Sequence, residues 1–88
     1  MTTQSELEQW TEEVGIISIR SGDALLFDLG DPYCDVLDLP LQDMSKLEIR
    51  DGAVVLDWNY DGYGEQRFES IAELEKRWLY VVEHGLEG

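Results

Sequence analysis

The dipeptide Asp51-Gly52 constrains the fold most, because it separates two segments of alternating apolar residues. An Asp-Gly pair accepts the positive φ angles of a type I′ turn, which joins two antiparallel strands. The segment before it, 46–50, alternates apolar and charged residues. The segment after it, 53–60, places Val54, Leu56, Trp58 and Tyr60 on one face by period-two spacing. The sequence therefore predicts an antiparallel sheet built around this hairpin.

A helix is predicted at the N-terminal end of the chain, from Thr3 to Val14. Its apolar residues Leu7, Trp10 and Val14 recur at helical spacing, with glutamates mostly on the other side. Thr3 and Glu6 have the spacing of a capping box, and Gly15 suits the C-terminal stop.

A second helix is predicted at the C-terminal end, where Ser70 and Glu73 have the same capping spacing. Its apolar stripe comprises Ile71, Leu74, Trp78 and Val81 or Val82. His84 and Gly85 are suited to its end, since a histidine favours the helix dipole and glycine the cap.

The remaining β-rich runs complete the predicted sheet. They are 16–20 and 24–29 around a Ser21-Gly22-Asp23 turn, 34–39 ended by Pro40, and a short strand around 66–68. The order predicts an α+β fold: an antiparallel β-meander of five or six short strands, flanked by an N-terminal and a C-terminal helix packed on one face. We expect residues 1–88 to form a single compact domain.

Charge is the feature that folding does not require. Twenty Asp and Glu against six Lys and Arg give a net charge of -14. A run without Lys or Arg carries a local charge of -6 and contains Asp23, Asp28, Asp31, Asp35, Asp38 and Asp43. Such a chain repels nucleic acid and anionic lipid and attracts basic proteins.

The sequence indicates a cytoplasmic protein without cofactors. Cys34 is the only cysteine, so no internal disulfide and no Cys/His zinc site is expected. The N-terminus has neither a basic nor an apolar leader region, and no apolar run reaches the roughly 20 residues of a membrane span. No catalytic constellation is evident, because the one histidine, His84, suits a helix end, so we expect a non-enzyme.

The segment 57–65 resembles the first nine positions of an EF-hand calcium loop. Asp57, Asn59 and Asp61 precede Gly62 in the spacing D-x-N-x-D-G, which places oxygen ligands around a sharp turn. The departures are Phe68 at the position of the bidentate Glu and a strand-like segment before Asp57. The resemblance implies a calcium-binding module, and the alternative is a strand entering a Gly-rich turn.

The aromatic residues divide into core and contact candidates. Trp10 and Trp78 lie on helical apolar stripes, and Trp58 and Tyr60 are in phase with the central strand, so all four are predicted in the core. Tyr63, between two glycines, is predicted as an exposed contact residue.

The acidic run has two interpretations. It is either a solvated sheet edge whose charges discourage aggregation, or a phosphate-like array, since carboxylates two residues apart on a strand are ~6.8 Å apart. Its spacing does not follow a strand period, so mimicry would depend on the fold. Adaptation to high salt is a further explanation, which the presence of only two lysines, Lys46 and Lys76, favours.

These observations favour a binding protein over an enzyme. In size and charge the chain resembles acidic phage proteins that block CRISPR or restriction enzymes by mimicking DNA. That resemblance implies a DNA-mimic inhibitor of a basic, nucleic-acid-binding protein. The predicted contact residues are Asp23, Asp28, Asp31, Tyr33, Asp35, Asp38, Asp43 and Tyr63. The alternatives are an immunity protein or antitoxin for a basic nuclease toxin and, third, the calcium module.

Overall fold

The computed structural model describes residues 1–86, in which five strands form one antiparallel sheet and two helices pack on one of its faces. The elements are α1 (Gln4–Val14), β1 (Ile19–Ser21), β2 (Ala24–Phe27), β3 (Ser45–Arg50), β4 (Ala53–Tyr60), β5 (Tyr63–Phe68) and α2 (Ile71–His84), with a 3-10 turn over Leu41–Asp43. The strands pair in chain order, so the sheet is a meander. The predicted α+β class is confirmed.

Local sequence signals define α1 and the central hairpin as predicted. The Thr3 hydroxyl accepts from the Glu6 amide at 3.2 Å, and the Glu6 carboxylate accepts from the Thr3 amide at 3.3 Å, which completes the capping box. Gly15 ends the helix in the left-handed conformation. Asp51 and Gly52 have φ angles of 53° and 78°, as the type I′ turn requires.

The capping box of α2 is present only in part. The Ser70 hydroxyl accepts from the Glu73 amide at 3.3 Å, as predicted. The Glu73 carboxylate, however, accepts from the Glu69 amide at 2.8 Å. The helix ends at His84 before Gly85, as expected.

The predicted third strand, 34–39, is wrong. Strand β2 pairs directly with β3, in the register Leu25↔Leu47, so residues 28–44 connect two neighbouring strands without joining the sheet. The other edge of β2 pairs with β1, and the other edge of β3 pairs with β4. The alternating acidic and apolar residues therefore have no place between β2 and β3, and they form a loop.

The boundaries of three other strands differ from prediction. Strand β1 begins at Ile19 instead of Ile16, β2 ends at Phe27 instead of Leu29, and β5 begins at Tyr63 instead of Gln66. Ile16 is nevertheless buried in the core from the connection before β1.

A β-bulge changes the predicted facing of the aromatic residues. Asp57 pairs with Glu65 and Tyr60 with Tyr63, so two residues of β4 oppose one of β5, and Asn59 has a φ of 46°. The extra residue reverses the alternation. Tyr60, predicted in the core, is 53% exposed, and Tyr63 is half-buried against the core.

Trp78 of α2 lies at the centre of the core. Its ring is 5.5 Å from Phe27 and 6.1 Å from Trp10, both edge to face, and it stacks at 6.4 Å on Trp58. These rings bring together both helices and the sheet, and all four are buried. The core positions predicted for Trp10, Trp58 and Trp78 are confirmed.

None of the helices within residues 1–86 is long and apolar enough to cross a membrane.

Candidate functional site

The β2–β3 connection, residues 28–44, is named here the acidic loop. It contains five aspartates and no Lys or Arg, namely Asp28, Asp31, Asp35, Asp38 and Asp43. Its length exceeds the roughly 12–15 residues beyond which connections in compact domains are uncommon and usually functional or disordered. The question is whether its contacts order this loop.

The beginning of the acidic loop is fixed to the fold by hydrogen bonds. The Asp28 carboxylate accepts from the Gly30 amide at 2.9 Å, and the Pro32 carbonyl accepts from the Ile17 amide at 2.8 Å. The indole N–H of Trp78 donates to the Tyr33 hydroxyl at 3.1 Å, which joins the loop to the core. Leu29 also packs against the core.

The end of the acidic loop is held by the bulge of β4. The Asn59 side-chain amide donates to the carbonyls of Gln42 and Met44 at 2.9 and 3.1 Å. The Asp57 carboxylate accepts a hydrogen bond from the backbone amide of Asn59 at 3.0 Å, which orients the bulge. Attachment at both ends places the intervening residues on a defined part of the surface.

Along its length the acidic loop exposes acidic and apolar side chains in alternation. The exposed fractions are 47% for Tyr33, 59% for Val36, 38% for Leu39 and 54% for Leu41. Asp31, Asp35, Asp38 and Asp43 are exposed among them. Clustered exposed apolar side chains rimmed by polar groups are typical of protein contact surfaces, whereas single ones are ordinary.

The structure places six of the eight predicted contact residues on this one loop. Asp23 lies apart, exposed in the turn between β1 and β2. Tyr63 lies on β5 and is half-buried, so Tyr60 takes the exposed position that the sequence assigned to Tyr63. The sequence reasoning also missed Val36, Leu39 and Leu41. The signal that could have identified Val36 and Leu39 is the acidic-apolar alternation between Pro32 and Pro40, and Leu41 directly follows the second proline.

The aspartates of the acidic loop are not neutralised within the described chain. Arg20 pairs with Glu8 at 2.7 Å, and Arg67 pairs with Glu69 at 3.2 Å. Lys46 and Arg50 pair with glutamates of the sheet. None of the ion pairs in residues 1–86 involves an aspartate of the loop. The loop therefore carries five negative charges that have no ion-pair partner among the described residues.

Unlike the aspartates of the loop, the glutamates on β3 and β5 have cationic partners. Arg50 contacts Glu48 and donates to both carboxylate oxygens of Glu65, at 3.2 and 2.9 Å. These hydrogen bonds hold the pKa of the Glu65 carboxyl below its ordinary value. They also raise the pKa of the Arg50 guanidinium above its ordinary value. With Lys46, whose Nζ lies 3.9 Å from the Glu48 carboxylate, the cluster has two cations for two glutamates, and these glutamates have partners that the loop aspartates lack.

Replacing Glu65 by Gln is expected to lower the melting temperature at pH 7 by a few degrees, although it removes one negative charge. Arg50 depresses the pKa of Glu65 below its ordinary 4.5, so the stabilisation is present above that pH and disappears as pH falls through the folded pKa. Thermal unfolding should show the full difference at pH 7, and the difference should shrink progressively as the pH is lowered below 4.5. Glu12→Gln is the charge-matched control at an exposed site of α1, and the same loss in both variants would contradict this role.

Salt is expected to stabilise the isolated domain. Self-repulsion at a net charge of -14 opposes the compact state, and the Debye length falls from about 10 Å at 0.1 M to about 3 Å at 1 M salt. The melting temperature should therefore rise over this range, and less so after Asp31, Asp35 and Asp38 are replaced by Asn. A melting temperature that falls with salt would show that ion pairs outweigh repulsion.

The segment that resembles a calcium loop forms the end of β4 and its turn instead of a helix-flanked loop. The Asp57 carboxylate and the Asn59 amide make the bulge contacts described above, and Asp61 is exposed in the turn. Within residues 1–86, no group of three or more His, Cys, Asp or Glu side chains is arranged to hold a metal ion. The geometry therefore gives the calcium interpretation no support.

Cys34 and His84, which have potential nucleophilic or base chemistry, lie on different elements, the acidic loop and the end of α2. Cys34 is a half-buried free thiol in the acidic loop. His84 is exposed at the end of α2, with its ring 4.6 Å from that of Tyr80 and Nε2 3.9 Å from the Glu83 carboxylate. Neither is part of a recognisable catalytic arrangement in the described residues.

In comparisons with known proteins, no family model, no curated protein and no solved structure matches this chain.

Proposed function

We propose that the protein is a non-enzymatic inhibitor whose acidic loop binds the basic surface of a nucleic-acid-binding protein and competes there with nucleic acid. One observation carries the proposal: aspartates without ion-pair partners among the described residues alternate with exposed apolar side chains on a loop attached at both ends. A DNA-mimic protein of the phage anti-CRISPR or anti-restriction type, acting in the cytoplasm, would present such a surface.

The two kinds of side chain make different contributions to binding. Opposed electrostatic potentials raise the association rate, with the largest effect at low salt. Apolar side chains that become buried at the interface slow dissociation, and most differences in affinity arise from dissociation rates. Tyr33 is suited to this role because Trp78 already holds its hydroxyl, so little side-chain entropy is lost on binding.

The exposed apolar residues also distinguish this proposal from adaptation to high salt. Solubility in salt requires only charge, whereas Val36, Leu39 and Leu41 expose apolar surface beside the aspartates. Exposed apolar surface promotes association, so its presence among the acids favours a contact surface.

Capture of partners on immobilised protein tests the proposal. The captured proteins are expected to be basic nucleic-acid-binding proteins that duplex DNA releases, because both ligands require the same cationic surface. Captured proteins that are not basic, or that DNA does not release, would contradict it. A nuclease toxin as the captured partner would identify the alternative, an immunity protein, which uses the same electrostatics.

A further inference from the structure

A groove lies between the beginning of the acidic loop and the C-terminal end of α2. Its volume is about 440 Å³, and its lining includes Leu29, Gly30, Tyr60, Val81, His84 and Leu86. A second cavity of about 210 Å³ shares Leu29, Gly30 and Val81 with it and extends to Tyr33 and Val82. The two cavities therefore adjoin each other at these three shared residues.

The groove is lined by apolar side chains that pack with the core and by exposed apolar side chains next to them. Leu29 and Val81 belong to the packed interior, while Tyr60 and Val82 remain 53% and 52% exposed beside it. Gly30 contributes no side chain, and a Cβ there would approach the Asp28 carboxylate to 3.3 Å.

Acidic side chains adjoin this apolar lining along the chain. Asp31 follows Gly30, Asp61 follows Tyr60 and Glu83 precedes His84, and all three are exposed. The segments that contribute the lining, 28–33, 60–61 and 81–86, contain no Lys or Arg. Charge complementarity thus favours an occupant with apolar side chains flanked by cationic ones. A second copy is disfavoured, because each chain carries -14.

We propose that this groove receives an apolar anchor, best an aromatic side chain, from a cationic amphipathic segment of the partner protein. The inference depends on the proposed function and adds the chemistry of the partner's contact segment. Apolar anchors in pockets dominate interface energetics, while surrounding charges orient the encounter. The groove would then supply the anchoring site and the acidic loop the attraction.

Two peptides provide the probes: a Lys/Leu amphipathic peptide with one Trp, and a peptide of equal length and charge with Ser in place of Leu and Trp. Calorimetry at low salt should show that the amphipathic peptide binds at least about tenfold more tightly. Val82→Ser and Tyr60→Ser should each weaken it about fivefold to tenfold. The matched control is Leu79→Ser, an equally exposed α2 residue outside the groove lining, which should change affinity less than about twofold.

The outcomes separate the groove from the acidic loop. Equal binding of both peptides, no binding of either, or no effect of the Val82 and Tyr60 variants would overturn the groove inference. If the groove inference failed in this way but replacing Asp31, Asp35 and Asp38 by Asn weakened binding of a captured partner, the proposed function would still be supported. Self-association in solution that Val82→Ser abolishes would assign the groove to a second copy and also overturn the inference.

Discussion

Replacing Trp78 by Ala is expected to destabilise the protein by about 3–5 kcal/mol, as truncation of a large buried aromatic side chain usually does. Trp78 contacts Trp10, Phe27 and Trp58, so its loss leaves a cavity where both helices meet the sheet. A domain of this size has a total stability of roughly 4–13 kcal/mol. Thermal unfolding should therefore show a melting temperature lower by at least about 12 °C, or no cooperative transition.

Trp78→Phe and Tyr33→Phe separate packing from the hydrogen bond. Each removes the contact between the Trp78 indole and the Tyr33 hydroxyl, and Tyr33→Phe leaves all four core rings in place. Tyr33→Phe should cost about 1–3 kcal/mol, because the part-buried indole N–H loses its acceptor. A loss as large as that of Trp78→Ala would show that attachment of the loop, and not the aromatic core, limits stability.

Replacing Asp31, Asp35 and Asp38 together by Asn is expected to weaken binding of a basic partner about tenfold at low salt. Exposed charge pairs contribute about 0.2–1 kcal/mol each, so three give roughly 0.6–3 kcal/mol. The effect should appear mainly in the association rate and diminish as salt rises. Binding kinetics on a captured partner at two ionic strengths measure both features.

The matched control changes the same number of charges away from the acidic loop. Glu12→Gln, Glu13→Gln and Asp51→Asn together remove three exposed carboxylates from α1 and the central hairpin turn. Asn is also favoured in that turn, so the fold should be preserved. An equal loss of affinity in the control would show that total charge, and not its position on the loop, determines binding.

The parts of the fold that the sequence predicts correctly depend on neighbouring residues. Thr3 with Glu6, Asp51 with Gly52, and Ser70 with Glu73 each act within a few residues, so their geometry is readable from spacing. Burial of Trp10, Trp58 and Trp78 follows in the same way from helical and strand periodicity.

The incorrect predictions involve distant residues. The bulge at Asn59 is stabilised by the carbonyls of Gln42 and Met44, which no local pattern near β4 identifies. It exposes Tyr60 and partly buries Tyr63, reversing the prediction. Likewise, 34–39 has a strand-like alternation, but direct pairing of β2 with β3 leaves it without a partner.

The candidate site was therefore predictable in charge but not in shape. Its aspartates are evident as a run without Lys or Arg, whereas the exposed Val36 and Leu39 fall within the predicted strand 34–39. The contact between Tyr33 and Trp78, separated by 45 residues, becomes visible only in the folded chain. The cavity that adjoins the groove likewise brings together residues distant in sequence, such as Tyr33 of the loop and Val82 of α2.

Competition with nucleic acid tests the central claim most directly. A captured partner bound to labelled duplex DNA would be titrated with the wild-type protein, the loop variant (Asp31, Asp35 and Asp38 to Asn) and the matched control. We predict that the wild type and the control displace DNA at similar concentrations and that the loop variant requires about tenfold more at low salt. Equal potency of all three proteins, or a ternary complex that retains DNA, would contradict the account.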